Sequence, residues 1–143
     1  WSGREDGSLP QWDPGAECSF LRGLTSSGEL VPPARVLEPG CGSGANALHL
    51  AGLGFEVTAV DAVPGALQVA QRREKEATAQ SGDVRDDGDE RASCRKPVRW
   101  VEADCFAFLE GAAPGSFDLV FDLQFFHCLD WPGRDAPAAL RRH

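Results

Sequence analysis

Two acids and a run of glycines hold most of the chemistry legible in this chain. Glu38, Gly40, Gly42 and Gly44 alternate through Glu38-Pro39-Gly40-Cys41-Gly42-Ser43-Gly44, and Asp61 follows about 20 residues beyond Gly40. Glycines so spaced let a chain turn tightly. They also let backbone N–H groups, with the start of a following helix, come close to a ligand. A carboxylate at the tip of the next strand can accept from both hydroxyls of a ribose. The combination points to a cofactor that contains a nucleoside. By spacing alone, Gly40-x-Gly42-x-x-Ala45 fits a dinucleotide fingerprint. Glu38 argues the other way. A carboxylate beside the loop repels a pyrophosphate and favours a cofactor that carries cationic groups and no phosphate.

Elsewhere reactive side chains are sparse. His49, His127 and His143 form no H-E-x-x-H pattern, and no metal site is expected. The five cysteines (Cys18, Cys41, Cys94, Cys105, Cys128) are odd in number and lack C-x-x-C spacing. Neither a disulfide framework nor a zinc site is expected, and a reducing, cytoplasmic compartment fits. Cys41 reads as a loop spacer, Cys105 and Cys128 as small core residues, and His49 as structural. His127 is the candidate general base. A net charge of −8 argues against nucleic acid or an anionic membrane as the main partner. No apolar run reaches the roughly 18 residues of a membrane-spanning helix. The acidic run Asp83–Glu90 reads as a solvated loop.

The elements that must position these residues alternate strand and helix. Strands are expected at Ala34–Glu38, Glu56–Val60, Val98–Glu102 and Phe117–Asp122. Helices are expected over Ala45–Leu53, from Pro64 to about Glu76, over Phe106–Leu109 and over Ala136–Arg142. Pro64 suits a first helical turn and Gly54 a helix end. With no hairpin signal, this order predicts an α/β fold: a Rossmann-like, doubly wound parallel sheet with right-handed crossovers. Its ligand should lie at the carboxyl ends of the strands, where Gly40–Gly44, Asp61, Asp104 and Asp122 converge. Upstream, Trp1–Gln11 is expected as a mobile arm, Trp12–Gly15 as a turn and Glu17–Leu24 as a short helix. The organisation expected is an arm and lid segment over 1–24 and a cofactor-binding domain over 25–143. A flexible acidic insert is expected at 77–97. A chain of 143 residues without methionine that stops soon after a fourth strand reads as a fragment. Such a cut sheet is expected to expose an edge.

Over about residues 34–129 the chain resembles the class I S-adenosylmethionine (SAM)-dependent methyltransferases. The motifs are Val36–Gly44, Val57–Asp61, Val101–Cys105 and Phe117–Leu123. The resemblance implies the first four strands of that fold and SAM as cofactor. The loop Gly40, Cys41, Gly42, Gly44 would pass beneath its methionine part, with Glu38 on the amino group. Asp61, with Ala62 beside it, would bind the ribose. Asp104 would face the adenine amino group, with Cys105 giving a backbone contact. Asp122 and Leu123 would line the pocket near the sulfonium. Pro10–Gly15 looks like the Trp-Asp-x-Gly segment of the thiopurine, thiol and halide methyltransferase branch, and Phe121–His127 is similar to the same branch. There the N-terminal segment folds over the cofactor, which would make Trp12 a lid. Residues 77–97 form a longer insert than the family pattern, and the later strands that build much of the acceptor pocket are not in the chain.

The function implied is methyl transfer to a small-molecule acceptor, such as a thiol, halide or related soft nucleophile. His127 or Asp122 would be the catalytic candidates. A thiol acceptor must react as its thiolate, so a nearby base would help. One alternative is an NAD(P)-dependent oxidoreductase, against which stand Glu38, Asp104 and the absence of any Tyr. The other is a non-catalytic SAM-binding module. The Asp/Asn-Pro-Pro-Tyr/Phe motif of many amino-methylating enzymes is replaced by Asp122-Leu123-Gln124-Phe125.

Overall fold

The computed structural model describes residues 9, 13, 15–82 and 94–126. Its strands are β1 (Arg35–Pro39), β2 (Glu56–Asp61), β3 (Arg99–Glu102) and β4 (Leu119–Val120). The helices are α1 (Ser19–Ser27), α2 (Ala45–Gly52), α3 (Pro64–Gly82) and α4 (Cys105–Gly111). All strand pairs are parallel, in the order β3-β2-β1-β4.

β1 is central because it is apolar on both faces. Val36 and Leu37 are each fully buried, as the inner strand of a parallel sheet requires. Val36, Val57 and Ala59 pack on one side against Leu21, Ala47, Leu50 and Leu67 from α1, α2 and α3. Leu37 and Val60 pack on the other against Cys105 and Leu109 of α4. With helices on both faces, the sheet is doubly wound as the sequence predicts. Register sets Val36 against Val57 and Pro39 against Val60, so the strands end together at the edge that carries the glycine loop.

Several elements differ in extent from expectation. α3 does not stop near Glu76 but runs to Gly82. Ala77, Ala79 and Gln80 are good helix formers, and the Thr78 hydroxyl donates to the Glu74 carbonyl at 2.8 Å. Residues 77–82 of the expected insert are therefore helical, and residues 83–93 lie outside the described residues. Its far end is tied down as well: the Lys96 N–H donates to the Ala51 carbonyl at 3.0 Å, and Lys96 Nζ meets Glu56 Oε1 at 2.7 Å. Glu74 then fixes the entrance to β3, accepting from the Val98 N–H at 2.8 Å and from Trp100 Nε1 at 2.7 Å.

α1 starts at Ser19, not Glu17, because the Cys18 thiol caps it, accepting from the Leu21 N–H at 3.3 Å. β4 pairs only through Leu119 and Val120, not across Phe117–Asp122. Beside it, the Asp118 carboxylate turns to the Arg35 guanidinium (2.7 Å). Past it, Asp122 Oδ1 accepts from the Phe125 N–H at 3.0 Å and begins a turn that carries the chain off the sheet. The expected arm at 1–11 (apart from Leu9), Trp12, the acidic run at 83–90, His127, Cys128 and the expected helix at 136–142 lie outside the described residues. No helix among the described residues is long and apolar enough to cross a membrane.

Candidate functional site

The turn between β1 and α2 is shaped by contacts that only glycine permits. Gly40 and Gly44 both have left-handed backbone, at φ +63° and +76°. A Cβ on Gly40 would stand 2.4 Å from the Phe125 ring, and one on Gly44 would stand 2.5 Å from the Trp100 ring and 2.9 Å from the Ala70 Cβ. The glycines thus serve packing as well as conformation. The loop is fastened to β2 by the Cys41 N–H, which donates to the Val60 carbonyl at 3.2 Å. The Gly42 N–H donates to Asp61 Oδ2 at 2.9 Å.

Asp61 is half-buried at the end of β2 and accepts on both oxygens: from Gly42 on Oδ2, and from the Val63 N–H on Oδ1 at 2.8 Å. It holds the glycine loop and the β2–α3 turn together. Each oxygen keeps a further lone pair for a ligand hydroxyl. Ala62 is exposed beside it.

Glu38 is the unusual group. It is buried at the end of β1, with Oε1 accepting from Asn46 Nδ2 at 3.1 Å and no partner for Oε2 among the described residues. Burial pushes its pKa up to about 8, and the charges of Asp122 and Asp61 push the same way, against the Asn46 amide and the Ala47 N–H. A buried polar atom without a partner is costly, and a ligand group that paired with Oε2 would relieve that cost. The ligand that suits it is cationic.

The remaining candidates are distributed unequally. Asp104 is exposed and caps α4, its Oδ1 accepting from the N–H groups of Phe106 (3.0 Å) and Ala107 (2.9 Å). Cys105 is buried under the loop. Burial raises its thiol to about 11, against the pull of the Gly40 backbone. Burial also drives the Cys41 thiol far up, so both are unreactive spacers in this environment. Asp122 is half-buried with Oδ1 on the Phe125 N–H, and Leu123 is exposed. His49 does lie in α2. Its Nε2 is 3.2 Å from the Thr25 hydroxyl and its Nδ1 is 3.8 Å from Glu17, a structural tie between α1 and α2.

Three residues escape a reading of the sequence. Asn46 joins Glu38 to the segment before α1, since its Oδ1 accepts from the Cys18 N–H at 2.9 Å. Arg73 of α3 donates to Ser43 Oγ at 2.7 Å and to the Gly15 carbonyl, pinning loop and N-terminal segment together. Phe125 covers Gly40. The one signal for Asn46 was a polar residue on an otherwise apolar helix stripe. Arg73 and Phe125 gave none. A cavity of about 750 Å³ lies elsewhere, on the α4 face near the strand beginnings, lined by Arg35, Thr58, Arg99, Phe108 and Phe117 among others. Among the described residues no group of His, Cys, Asp and Glu is arranged to hold a metal ion.

A parallel α/β sheet with a glycine loop after its central strand and acids along the same edge defines a Rossmann-like nucleoside-cofactor fold. Residues 37–142 match the family described as a methyltransferase domain, and the chain belongs to that family. It is a class I, SAM-dependent methyltransferase domain, which sets aside the NAD(P)-dependent reading of the glycines. Among curated proteins it is 35% identical over 80 residues to the ubiquinone biosynthesis O-methyltransferase of Xanthomonas campestris pv. campestris. That match covers 56% of this chain, and the chain spans about a third (33%) of that relative's length. A solved structure concerned with conversion of a disulfide bond into a thioacetal group during echinomycin biosynthesis is 33% identical, with a TM-score of 0.62. It covers 85% of this chain, and 42% of its own chain is matched. The magnesium protoporphyrin IX methyltransferase of Synechocystis PCC 6803, solved with S-adenosylhomocysteine (SAH) bound, shares the fold at 23% identity and a TM-score of 0.54. That match covers 76% of this chain and 40% of the other.

Proposed function

We propose that the carboxyl edge of β1, β2 and β3 binds SAM and that the protein transfers its methyl group to a small-molecule acceptor. The observation that carries this reading is Glu38 Oε2, buried without a partner among the described residues and flanked by acids rather than bases. An ammonium is the ligand group that would satisfy it. Asp61 would accept from the ribose hydroxyls in addition to its two backbone bonds. Asp104 would take the adenine amino group, with Cys105 offering its backbone beside it. Gly40, Gly42 and Gly44 would admit the methionine portion to close backbone contact. Asp122 and Leu123 would stand near the sulfonium. Trp12 would cover the cofactor from the N-terminal arm at 1–24, with 25–143 forming the cofactor-binding unit.

When bound, the cofactor supplies an activated methyl group whose departure leaves a neutral thioether. The protein's task is alignment and exclusion of water. The acceptor class we favour is a soft nucleophile, a thiol before a halide, with His127 taking the thiol proton. The resemblance of Pro10–Gly15 and Phe121–His127 to the thiol and halide branch supports it, as does likeness to a structure concerned with disulfide conversion. A hydroxyl acceptor is the second reading, favoured by likeness to an O-methyltransferase. The test is transfer of labelled methyl from SAM to matched alkyl thiols, aryl thiols and catechols, with and without His127→Ala. Thiol methylation that falls in the variant supports the first reading. Catechol methylation alone replaces it with the second. Bound cofactor with no transfer to any acceptor would make the chain a cofactor-binding module.

A further inference from the structure

Glu38 and the N-terminal segment are far apart in sequence, yet one side chain touches both. Asn46 sits in the first turn of α2, is itself buried, and spends both ends of its amide on structure. Its Nδ2 donates to Glu38 Oε1 at 3.1 Å, and its Oδ1 accepts from the Cys18 N–H at 2.9 Å. The second bond fixes the amide's orientation: turned over, it would present an oxygen to the carboxyl and a donor to the Cys18 N–H. The carboxyl in turn has one engaged oxygen, and its other oxygen has no hydrogen-bond partner among the described residues. The ionisable groups around Glu38 are Asp61 at the end of β2, Asp122 after β4 and the Cys41 thiol in the loop. Each of these disfavours a charge on Glu38 when ionised, whereas the Asn46 amide, and after it the Ala47 N–H, favour it.

We propose that Asn46 is a positioning residue for the cofactor acid: it holds Glu38 so that Oε2 alone faces the cofactor, and it ties that carboxyl to the start of α1 through the Cys18 N–H. This rests on the proposed cofactor site. It follows that a carboxyl which is largely protonated in the empty site gives up its proton when a cationic head arrives, and that Asn46 sets how readily it does so. Affinity for the cofactor's ammonium then rises with pH until Glu38 is ionised in the free protein.

The test is calorimetric titration with SAH from about pH 6 to about pH 8, in two buffers of different ionisation enthalpy, to read affinity and proton release together. The protein is compared with Asn46→Leu, Asn46→Asp, Asn46→Gln and Glu38→Gln. The unaltered chain should bind more tightly as pH rises, by up to about tenfold per unit, and release a proton at the acid end. Asn46→Leu should weaken binding by about tenfold or more and move the profile to higher pH. Asn46→Asp keeps an acceptor for the Cys18 N–H but lacks the donor to Glu38, so it should shift the profile the same way. Because the new carboxyl also repels a charge on Glu38, Asn46→Gln, which keeps a donor on a longer stem, is the control: it should restore part of the affinity and of the profile. If the leucine variant does not fold, a glutamine variant with the profile of Asn46→Asp overturns the proposal. Glu38→Gln should flatten the profile, and adding Asn46→Leu to it should cost no further affinity. A purely structural Asn46 would lower the unfolding midpoint while leaving the affinity and pH profile of the folded protein unchanged, and that result overturns the proposal. If the unaltered chain binds no SAH at all, the proposed cofactor site falls as well. Binding with unaltered profiles in Asn46→Leu and Asn46→Asp removes only the role of Asn46.

Discussion

Between β1 and β2 the edge of the sheet is fixed by loop N–H groups bonded to the neighbouring strand; just past β4, among the described residues, the Phe121 N–H still reaches the Leu37 carbonyl before the Asp122 turn leads the chain away. On the first side the Cys41 and Gly42 N–H groups reach Val60 and Asp61, and Arg73 and Asn46 tie the loop to the segment before α1. On the second side β4 contributes Leu119 and Val120 to the sheet, and Asp122 closes a turn onto Phe125. Phe125 is where the two sides meet, its ring lying over Gly40. Under the proposed function the two sides would divide the labour: a cofactor of constant shape would be held by the cross-bonded edge, and a variable acceptor would be met by the turn after β4.

The largest effect should come from breaking the cross-bonded side. Gly40→Val imposes a β-branched side chain on left-handed backbone and drives it into the Phe125 ring. Urea unfolding should show a loss of roughly 2–4 kcal/mol, and SAH binding should vanish. Next, Asp61→Asn removes the charge from the group that holds the loop and that, in the proposed site, would meet the ribose. Its SAH affinity should drop by about ten- to a hundredfold in calorimetry. Asp122→Asn, on the side after β4, should leave SAH affinity nearly unchanged and weaken only SAM, whose sulfonium it would face under the proposed function. Equal losses for the two ligands would erase the proposed difference between the sides.

Glu38→Gln should act on stability in a pH-dependent way. The carboxyl is held up to about 8 in the folded chain, above its ordinary value of 4.5. Its proton-linked contribution is therefore intact below about pH 4.5 and is lost as pH rises through about 8. The glutamine variant should be more stable than the unaltered protein near pH 9, by roughly 1–3 kcal/mol, with the gap closing in acid. Thermal unfolding across that range reads it. The smallest effect belongs to Arg35→Ala, which removes an exposed ion pair with Asp118 at the start of β4. Hydrogen exchange should quicken at the Asp118 and Phe121 amides while SAH affinity stays the same.

The cross-bonded side was also the more legible one. The β1 strand, the glycine loop, α2 and β2 follow each other without a break, and their signals are local: apolar runs, alternating glycines and an acid at a fixed distance. The end of α3 was not legible, because Ala77–Gln80 has few apolar residues and helix propensity carried the chain on without them. β4 read long because Phe117, Leu119 and Phe121 alternate properly. The Asp118–Arg35 pair and the Asp122 turn, which shorten it, are long-range or side-chain events. Asn46 and Arg73 were missed for a related reason. A polar residue on a helix looks solvated until the fold brings Glu38, Cys18, Ser43 or Gly15 against it. Asp104 lies at the carboxyl end of β3 as its position in the sequence predicts, but its cap on α4 was not foreseen, and that cap gives the residue a structural duty.

The most direct test of the cofactor edge is calorimetric titration of the chain with SAH beside NADH, repeated with Glu38→Ala and Asp61→Ala. Binding of SAH alone, lost in both variants while each remains folded, is the predicted result. A folded chain that ignores SAH, or that binds it equally well without Glu38 and Asp61, would contradict it.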